Sequence, residues 1–216
     1  MKEFKTLQRL RLRFLWPKIR SGISSWVRMC PHCVLTDKNT RENKELVFSW
    51  PVTSPFFILH VDLWAPGSIK DYHGYTYLLA GMCDLTGFVV QSAVTTITSH
   101  DLARVFFQEF LLKFGMCSLV VVNAGSNFLA TFEAMCEALS IRFHGAVKGN
   151  HKAVSMECYF RFINKAVTIA TNDRDDPTVW VPASMTAGYA WNSSPIDGTD
   201  ILRSVAAVGR PFQFPI

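Results

Sequence analysis

Apolar residues along the chain follow two spacings, and the changes between them predict the elements. Ile19, Ile23, Trp26 and Val27 recur at helical spacing behind Pro17, which suits a first helical turn, and predict a short amphipathic helix running into Cys30. Residues 34–49 are polar and charged and predict a linker. Beyond Pro51 and Pro55, strand-like stretches at 56–63, 75–83 and 87–97, parted by turns rich in Gly, Asp, Pro and Thr, predict an antiparallel meander. Ser99 is the expected N-cap of a helix from His100 to Phe114, with Leu102, Val105, Phe106, Phe110 and Leu111 on its apolar face. An apolar strand at 119–122 ends at Asn123. A helix over 128–139, a short strand at 141–143, a loop through Gly145 and Gly149, a helix over 152–171 and a last helix over 178–192 follow. The order β-β-β-α-β-α-β-α-α implies an α/β fold on a mixed five-stranded sheet, antiparallel at one side and parallel where helices make the crossovers.

With 216 residues, 49% of them hydrophobic, the chain can bury one sizeable core and carry a small appendage. No run approaches the ~18 uninterrupted apolar residues of a membrane span, and the stretch to Phe14 alternates apolar with basic residues instead of forming a signal-peptide block. The expectation is therefore a soluble, intracellular protein. Charge changes the picture more than size does. Residues 1–45 hold eleven Lys/Arg against four Asp/Glu, whereas residues 46–216 hold eleven against thirteen. The positive charge thus belongs to the N-terminal arm, which suits either phosphate contacts on nucleic acid or a solvated linker. Of the six cysteines, only Cys30 and Cys33 form a Cys-x-x-Cys pair; Cys83, Cys117, Cys136 and Cys158 sit in apolar or helical patterns and read as small core residues.

Three positions place a polar group where the local pattern otherwise predicts only structure. Asp62 shares a strand face with Ile58 and His60, and a carboxylate in a central strand is costly unless it is paired or metal-bound. Asn123 ends an apolar strand, where α/β sheets present functional groups, but an Asn at a turn has an equally good conformational reason to be there. Glu157 lies near the start of its helix with Arg161 and Lys165 one and two turns on, a pattern that also describes an ordinary salt-bridged surface. Asp84 and Asp101 read as a turn residue and a first-turn helix carboxylate.

The runs His-Val-Asp-Leu-Trp-Ala-Pro-Gly at 60–67, Val-Val-Asn-Ala-Gly-Ser-Asn-Phe at 121–128 and Gly-Asn-His-Lys-Ala-Val-Ser-Met-Glu-Cys-Tyr-Phe-Arg-Phe-Ile-Asn-Lys at 149–165 together resemble the integrase region of long-terminal-repeat retrotransposon polyproteins. The resemblance extends upstream to Phe-Leu-Trp-Pro-Lys-Ile at 14–19 and Cys-Pro-His-Cys at 30–33, and downstream to Trp-Asn-Ser-Ser-Pro at 191–195. It implies a ribonuclease-H-like catalytic core over 51–216, a linker over 37–50 and a truncated helical zinc-binding module over 1–36.

The resemblance also implies an Asp-Asp-Glu triad holding two Mg2+ or Mn2+ ions for DNA 3′-end processing and strand transfer. Asp62 matches the first aspartate, Glu157 the glutamate, and Asn123 stands where the second aspartate belongs. The interval from Asn123 to Glu157 is slightly short, which the loop near 145–149 can absorb. Two close cations need anionic ligands to offset their mutual repulsion, so a neutral amide at 123 weakens the site and impairs catalysis. His151, Lys152, Arg161 and Lys165 are the expected DNA contacts. Cys30 and Cys33 correspond to the last two ligands of a His-His-Cys-Cys zinc site. No His precedes His32, so the set is incomplete, and zinc is held weakly with His32, with a missing upstream segment, or not at all.

The expected partners are element ends and target DNA and further copies of the chain, with action in the nucleus after synthesis in the cytoplasm. The end at Phe-Gln-Phe-Pro-Ile, where relatives would continue, suggests a piece of a longer polyprotein. Two other readings stay open: an inactive nucleic-acid-binding or oligomerising remnant, and an RNA-cleaving nuclease on the same fold.

Overall fold

The computed structural model describes residues 3–30, 52–123, 126–146 and 154–212. Strands β1 (Ile58–Trp64), β2 (Tyr77–Cys83), β3 (Val89–Val94), β4 (Leu119–Asn123) and β5 (Arg142–Ala146) form one sheet in the order β3-β2-β1-β4-β5. The first three pair antiparallel, and β4 and β5 add in parallel. This is the mixed sheet expected from the element order, with β1 at its centre.

Alternation along β1 assigns its two faces. Leu59 and Val61 join Leu79, Val120 and Val122 in a core closed by Leu102, Phe106, Phe110 and Phe132. Those residues come from α3 (Ser99–Phe106), from the π-helical turn Phe107–Leu111 that carries it into a short α4 (Leu112–Phe114), and from α5 (Thr131–Ala138). On the other face Trp64, Leu78, Ala80 and Met82 pack under α6 (Val154–Arg174) and α7 (Trp180–Asn192) through Met156, Tyr159, Ile163 and Trp180. The 21-residue α6 is amphipathic, because Met156, Tyr159, Ile163 and Val167 recur at helical spacing and are all buried. A final helix, α8 (Arg203–Val208), was not anticipated from the sequence.

Capping differs from expectation in an instructive way. Thr98, not Ser99, caps α3 by accepting from the Asp101 backbone N–H. Ser99 instead accepts from the Phe132 N–H at 2.9 Å and donates to the Leu129 carbonyl, so it ties α3 to the start of α5. Asp101 lies in the first helical turn as expected, and hydroxyl donation from Thr96, then Thr98, holds its carboxyl below the usual range.

The N-terminal arm folds as α1 (Glu3–Arg11) and α2 (Ile19–Met29). Leu7, Ile19 and Ile23 bury one another in a cluster of their own. The alternation of apolar and basic residues before Phe14 had not signalled a helix there. The pair is tied to the rest of the chain where Gln8 Nε2 donates to the Thr199 carbonyl and to Asp200 Oδ1, at 3.1 and 3.2 Å. Among the described residues no helix is long and apolar enough to cross a membrane.

Three of the four cysteines read as core residues, Cys83, Cys117 and Cys136, are buried, but Cys158 on α6 is only half-buried. Burial, then neighbouring Cys136, pushes the Cys117 thiol up to about 12; burial, then Glu133, pushes Cys136 up to about 11. Both stay protonated and poorly nucleophilic near neutrality. Iodoacetamide at pH 8 is therefore expected to alkylate Cys158 in the native chain and to leave Cys83, Cys117 and Cys136 unmodified until denaturant is added, as peptide mass mapping would read. Early modification of the last three would contradict this packing. Gly81 has a separate steric role, since a Cβ there would lie 2.5 Å from the buried Phe110 ring. Gly81→Ala is expected to cost about 1–3 kcal/mol of unfolding free energy in urea titration.

Candidate active site

β1 and β4 run parallel, and their pairing extends from Ile58 beside Leu119 to Val61 beside Val122. The next row carries Asp62, two residues before the end of β1, and Asn123, the last residue of β4, toward the carboxyl ends of the two strands, where open α/β sheets form their crevices. Asp62 lies opposite Ala80 of β2, on the sheet face covered by α6 and α7. The Asp62 carboxylate is half-buried and accepts from the Leu63 backbone N–H at 2.8 Å. Its placement on the central strand is as expected.

Glu157 stands in the first turn of α6 and is exposed. Advancing by about 100° per residue, Glu157, Arg161, Asn164 and Thr168 form one narrow exposed stripe down the helix. Asn164 Oδ1 accepts from Trp64 Nε1 at 2.9 Å, and Trp64 lies two residues beyond Asp62 on the same strand face. The ring of Trp64 is buried and packs edge-on against Trp180 of α7, centroids 5.7 Å apart. A buried indole N–H needs an acceptor, and Asn164 supplies it. This bond joins the strand that carries Asp62 to the helix that carries Glu157.

The other expected contacts divide. Arg161 remains on the Glu157 stripe, with its guanidinium 3.0 Å from Cys158 Sγ. Lys165 leaves the stripe: it is half-buried and lines a cavity beside Phe162 and Ala166. His151, Lys152 and Cys33 lie outside the described residues, as does the linker, whereas Cys30 directly follows α2 and is half-buried. Among the described residues no group of three or more His, Cys, Asp or Glu side chains is arranged to hold a metal ion. Two carboxylates, Asp62 and Glu157, are what the described chain offers to a cation here.

Sequence reasoning passed over His60. It is buried beneath Asp62 on the same face, with Nε2 2.7 Å from Asp84 Oδ1. Asp84 is thus more than a turn residue. A His two residues from Asp62 on a central strand was the available signal. The Trp-Asn-Ser-Ser-Pro run is also structural. Trp191 Nε1 donates to the Gly87 carbonyl at 2.8 Å, and Asn192 bonds both backbone groups of Val89, closing the edge of β3 like an added strand residue.

The architecture is that of a retroviral-type integrase core, a mixed five-stranded sheet with helices on both faces. The HTLV-2 integrase catalytic core domain in complex with magnesium superposes with a TM-score of 0.56 at 18% identity, covering 71% of this chain and 97% of that one. A chain of the simian T-cell lymphotropic virus intasome in complex with PP2A regulatory subunit B56 gamma superposes with a TM-score of 0.64 at 15% identity, covering 96% of this chain and 72% of that one. Residues 1–39 match the integrase zinc-binding domain family. The retrovirus-related Pol polyprotein from transposon 412 of Drosophila melanogaster is 22% identical over 180 residues, or 82% of this chain. The chain spans 14% of the length of that polyprotein. These similarities agree with the resemblance that its motifs carry.

The Trp64–Asn164 bond yields a prediction. Asn164→Ala removes the acceptor from a buried donor and should lower stability by about 1–3 kcal/mol, whereas Asn164→Asp keeps an acceptor and should restore most of the loss. Thermal unfolding of the two variants checks this. Equal destabilisation by both would mean the bond is not what holds α6 to β1.

Proposed function

We propose that this chain is the integrase core of a retroelement, descended from an enzyme that processes DNA 3′ ends and joins them to target DNA, and that Asn123 impairs it. The observation carrying this reading is that Asp62 of β1 and Asn123, the last residue of β4, lie on adjacent parallel strands of a sheet whose Asp62 face is covered by α6, the helix with Glu157 in its first turn. Asp62 and Glu157 would hold a divalent cation, which when bound supplies charge neutralisation at a phosphodiester. The magnesium of the HTLV-2 core supports a divalent cation at this type of site.

The chain's own residues set what remains of that activity. The Leu63 N–H and the helix start fix the two carboxylates. The amide of Asn123 adds no charge, so the set holds two negative charges instead of three and offsets less of the repulsion between paired cations. Arg161 on the Glu157 stripe, with His151, Lys152 and Lys165, would contact DNA phosphates, and assembly into multimers on DNA follows the intasome of the simian virus relative. Residues 1–36 are read as an integrase zinc-binding module in which Cys30 and Cys33 are two of four ligands; the family match to 1–39 supports this. A remnant that binds DNA without catalysis is the second reading, favoured by Asn123 itself.

Strand transfer on a short duplex with Mg2+ or Mn2+ tests the proposal. Asn123→Asp is expected to raise activity at least about a hundredfold over the parent, and Glu157→Gln in that background to remove it. Without metal, the third carboxylate should also lower the melting temperature of Asn123→Asp, and Mg2+ should restore it. Activity in the parent equal to that of Asn123→Asp would refute the impairment. A metal-free melting temperature unchanged by Asn123→Asp, with no response to Mg2+, would refute the shared site.

A further inference from the structure

The connection between β1 and β2 leaves the sheet at the end where the row of Asp62 and Asn123 lies, because β1 stops at Trp64, two residues beyond Asp62. It contains a hydrogen-bonded turn. The buried Asp71 carboxylate accepts from the His73 backbone N–H at 2.7 Å. The Gly74 N–H donates to the Asp71 carbonyl at 2.8 Å, and the Asp71 N–H donates to the Tyr75 carbonyl at 2.9 Å. Gly74 closes the turn with a φ of 86°, which a glycine adopts without strain. Tyr75 is half-buried against the apolar cluster around Trp64 and anchors the turn to the body of the protein.

On this frame Tyr72 and His73 are both exposed, Tyr72 at 61%, and their ring centroids stand 4.2 Å apart with the planes tilted by 46°. Ile69 and Lys70 beside them are exposed as well. A single exposed aromatic on a loop is ordinary. Here two rings are grouped, and backbone bonds and a buried carboxylate hold the turn that carries them, not burial of the rings themselves. Rings set in place this way lose little conformational freedom when something stacks on them.

Charge and position decide between partners. The only acid in 65–76 is Asp71, which is buried, so the exposed part of the turn carries Lys70 and no carboxylate. An aromatic face beside a cation fits the flat face and the phosphate of an unpaired nucleotide. A protein partner would call for a broader apolar surface than Ile69 and Tyr72 provide.

We propose that Tyr72, with His73 beside it, stacks on an unpaired base at a DNA end while Lys70 meets that nucleotide's phosphate, so that the turn holds a frayed strand at the Asp62 end of the sheet. This rests on the DNA-joining function proposed above and adds to it the part of the substrate that is recognised. Tyr72 binds and takes no part in the chemistry.

The test is fluorescence anisotropy of the full chain, without divalent cation, on a labelled blunt duplex and on the same duplex with a short unpaired end. Quenching of 2-aminopurine in the unpaired strand is the second readout. The parent is expected to prefer the frayed duplex and to quench the probe. Tyr72→Ala should weaken frayed-duplex binding by about tenfold, the loss of one base–aromatic stack, and leave the blunt duplex unchanged. Tyr72→Phe, which keeps the ring, should bind as the parent does. Lys70→Gln, at a second exposed residue, should weaken the frayed duplex and lower its salt dependence. Equal affinity of the parent for both duplexes, or frayed-duplex binding and quenching unchanged in Tyr72→Ala, overturns this inference and leaves the DNA reading standing. Binding to neither duplex overturns both. Altered sedimentation of the free chain in Tyr72→Ala, with DNA affinity kept, overturns the inference as well and assigns the rings to a protein contact.

Discussion

Gln91, on the middle of β3, is the side chain through which α6 and α7 are fixed to the sheet. Its Oε1 accepts from the Tyr159 hydroxyl of α6, and its Nε2 donates to the Ser184 carbonyl of α7 at 2.9 Å. Burial pushes the Tyr159 phenol up, so it remains a donor at any ordinary pH. Gly188 is what lets α7 come this close, since a Cβ there would fall 2.3 Å from Gln91 Nε2. The amide satisfies one buried group from each helix, a stronger constraint on their mutual position than apolar packing, which tolerates sliding. The Glu157 stripe inherits its orientation from this lock, because Tyr159 faces the sheet two residues from Glu157.

The second fixed point is β1, paired with β2 over Leu59–Trp64 and with β4 over Ile58–Val61. A polar group on it can face a crevice only where one neighbour stops pairing, and β4 stops at Val61–Val122, one row short of Asp62. The Asn192 amide, clipped to both backbone groups of Val89, seals the β3 edge far from this point and keeps the sheet from extending there. What the fold leaves unpaired between β1 and β4 is thus the row at Asp62 and Asn123.

The sheet was legible because its signal is local: apolar strands parted by turn residues, with helical spacing at the crossovers. Asp62 was legible for the same reason, as a carboxylate against an apolar pattern on a strand that the topology makes central. The parts that escaped depend on long-range partners. Ser99 looks like a cap and is one, but for the start of α5 some thirty residues on. Lys165 follows Glu157 by two turns, yet the helix phase has drifted enough to turn it toward the cavity. His60 finds Asp84 only after β1 and β2 have paired. The helix at 3–11 lacks a clear pattern because its apolar residues bury themselves against α2 alone.

Asn123 carries a different lesson about charge. Three carboxylates gathered at strand ends repel one another, and a cation is what makes their approach favourable. On the proposed reading, an amide in place of one carboxylate removes part of that repulsion. Glu157 is held differently, in the first turn of α6. Asp62 has the Leu63 N–H as a donor to its carboxylate. On the proposed reading, a third carboxylate at 123 would add repulsion that a cation offsets.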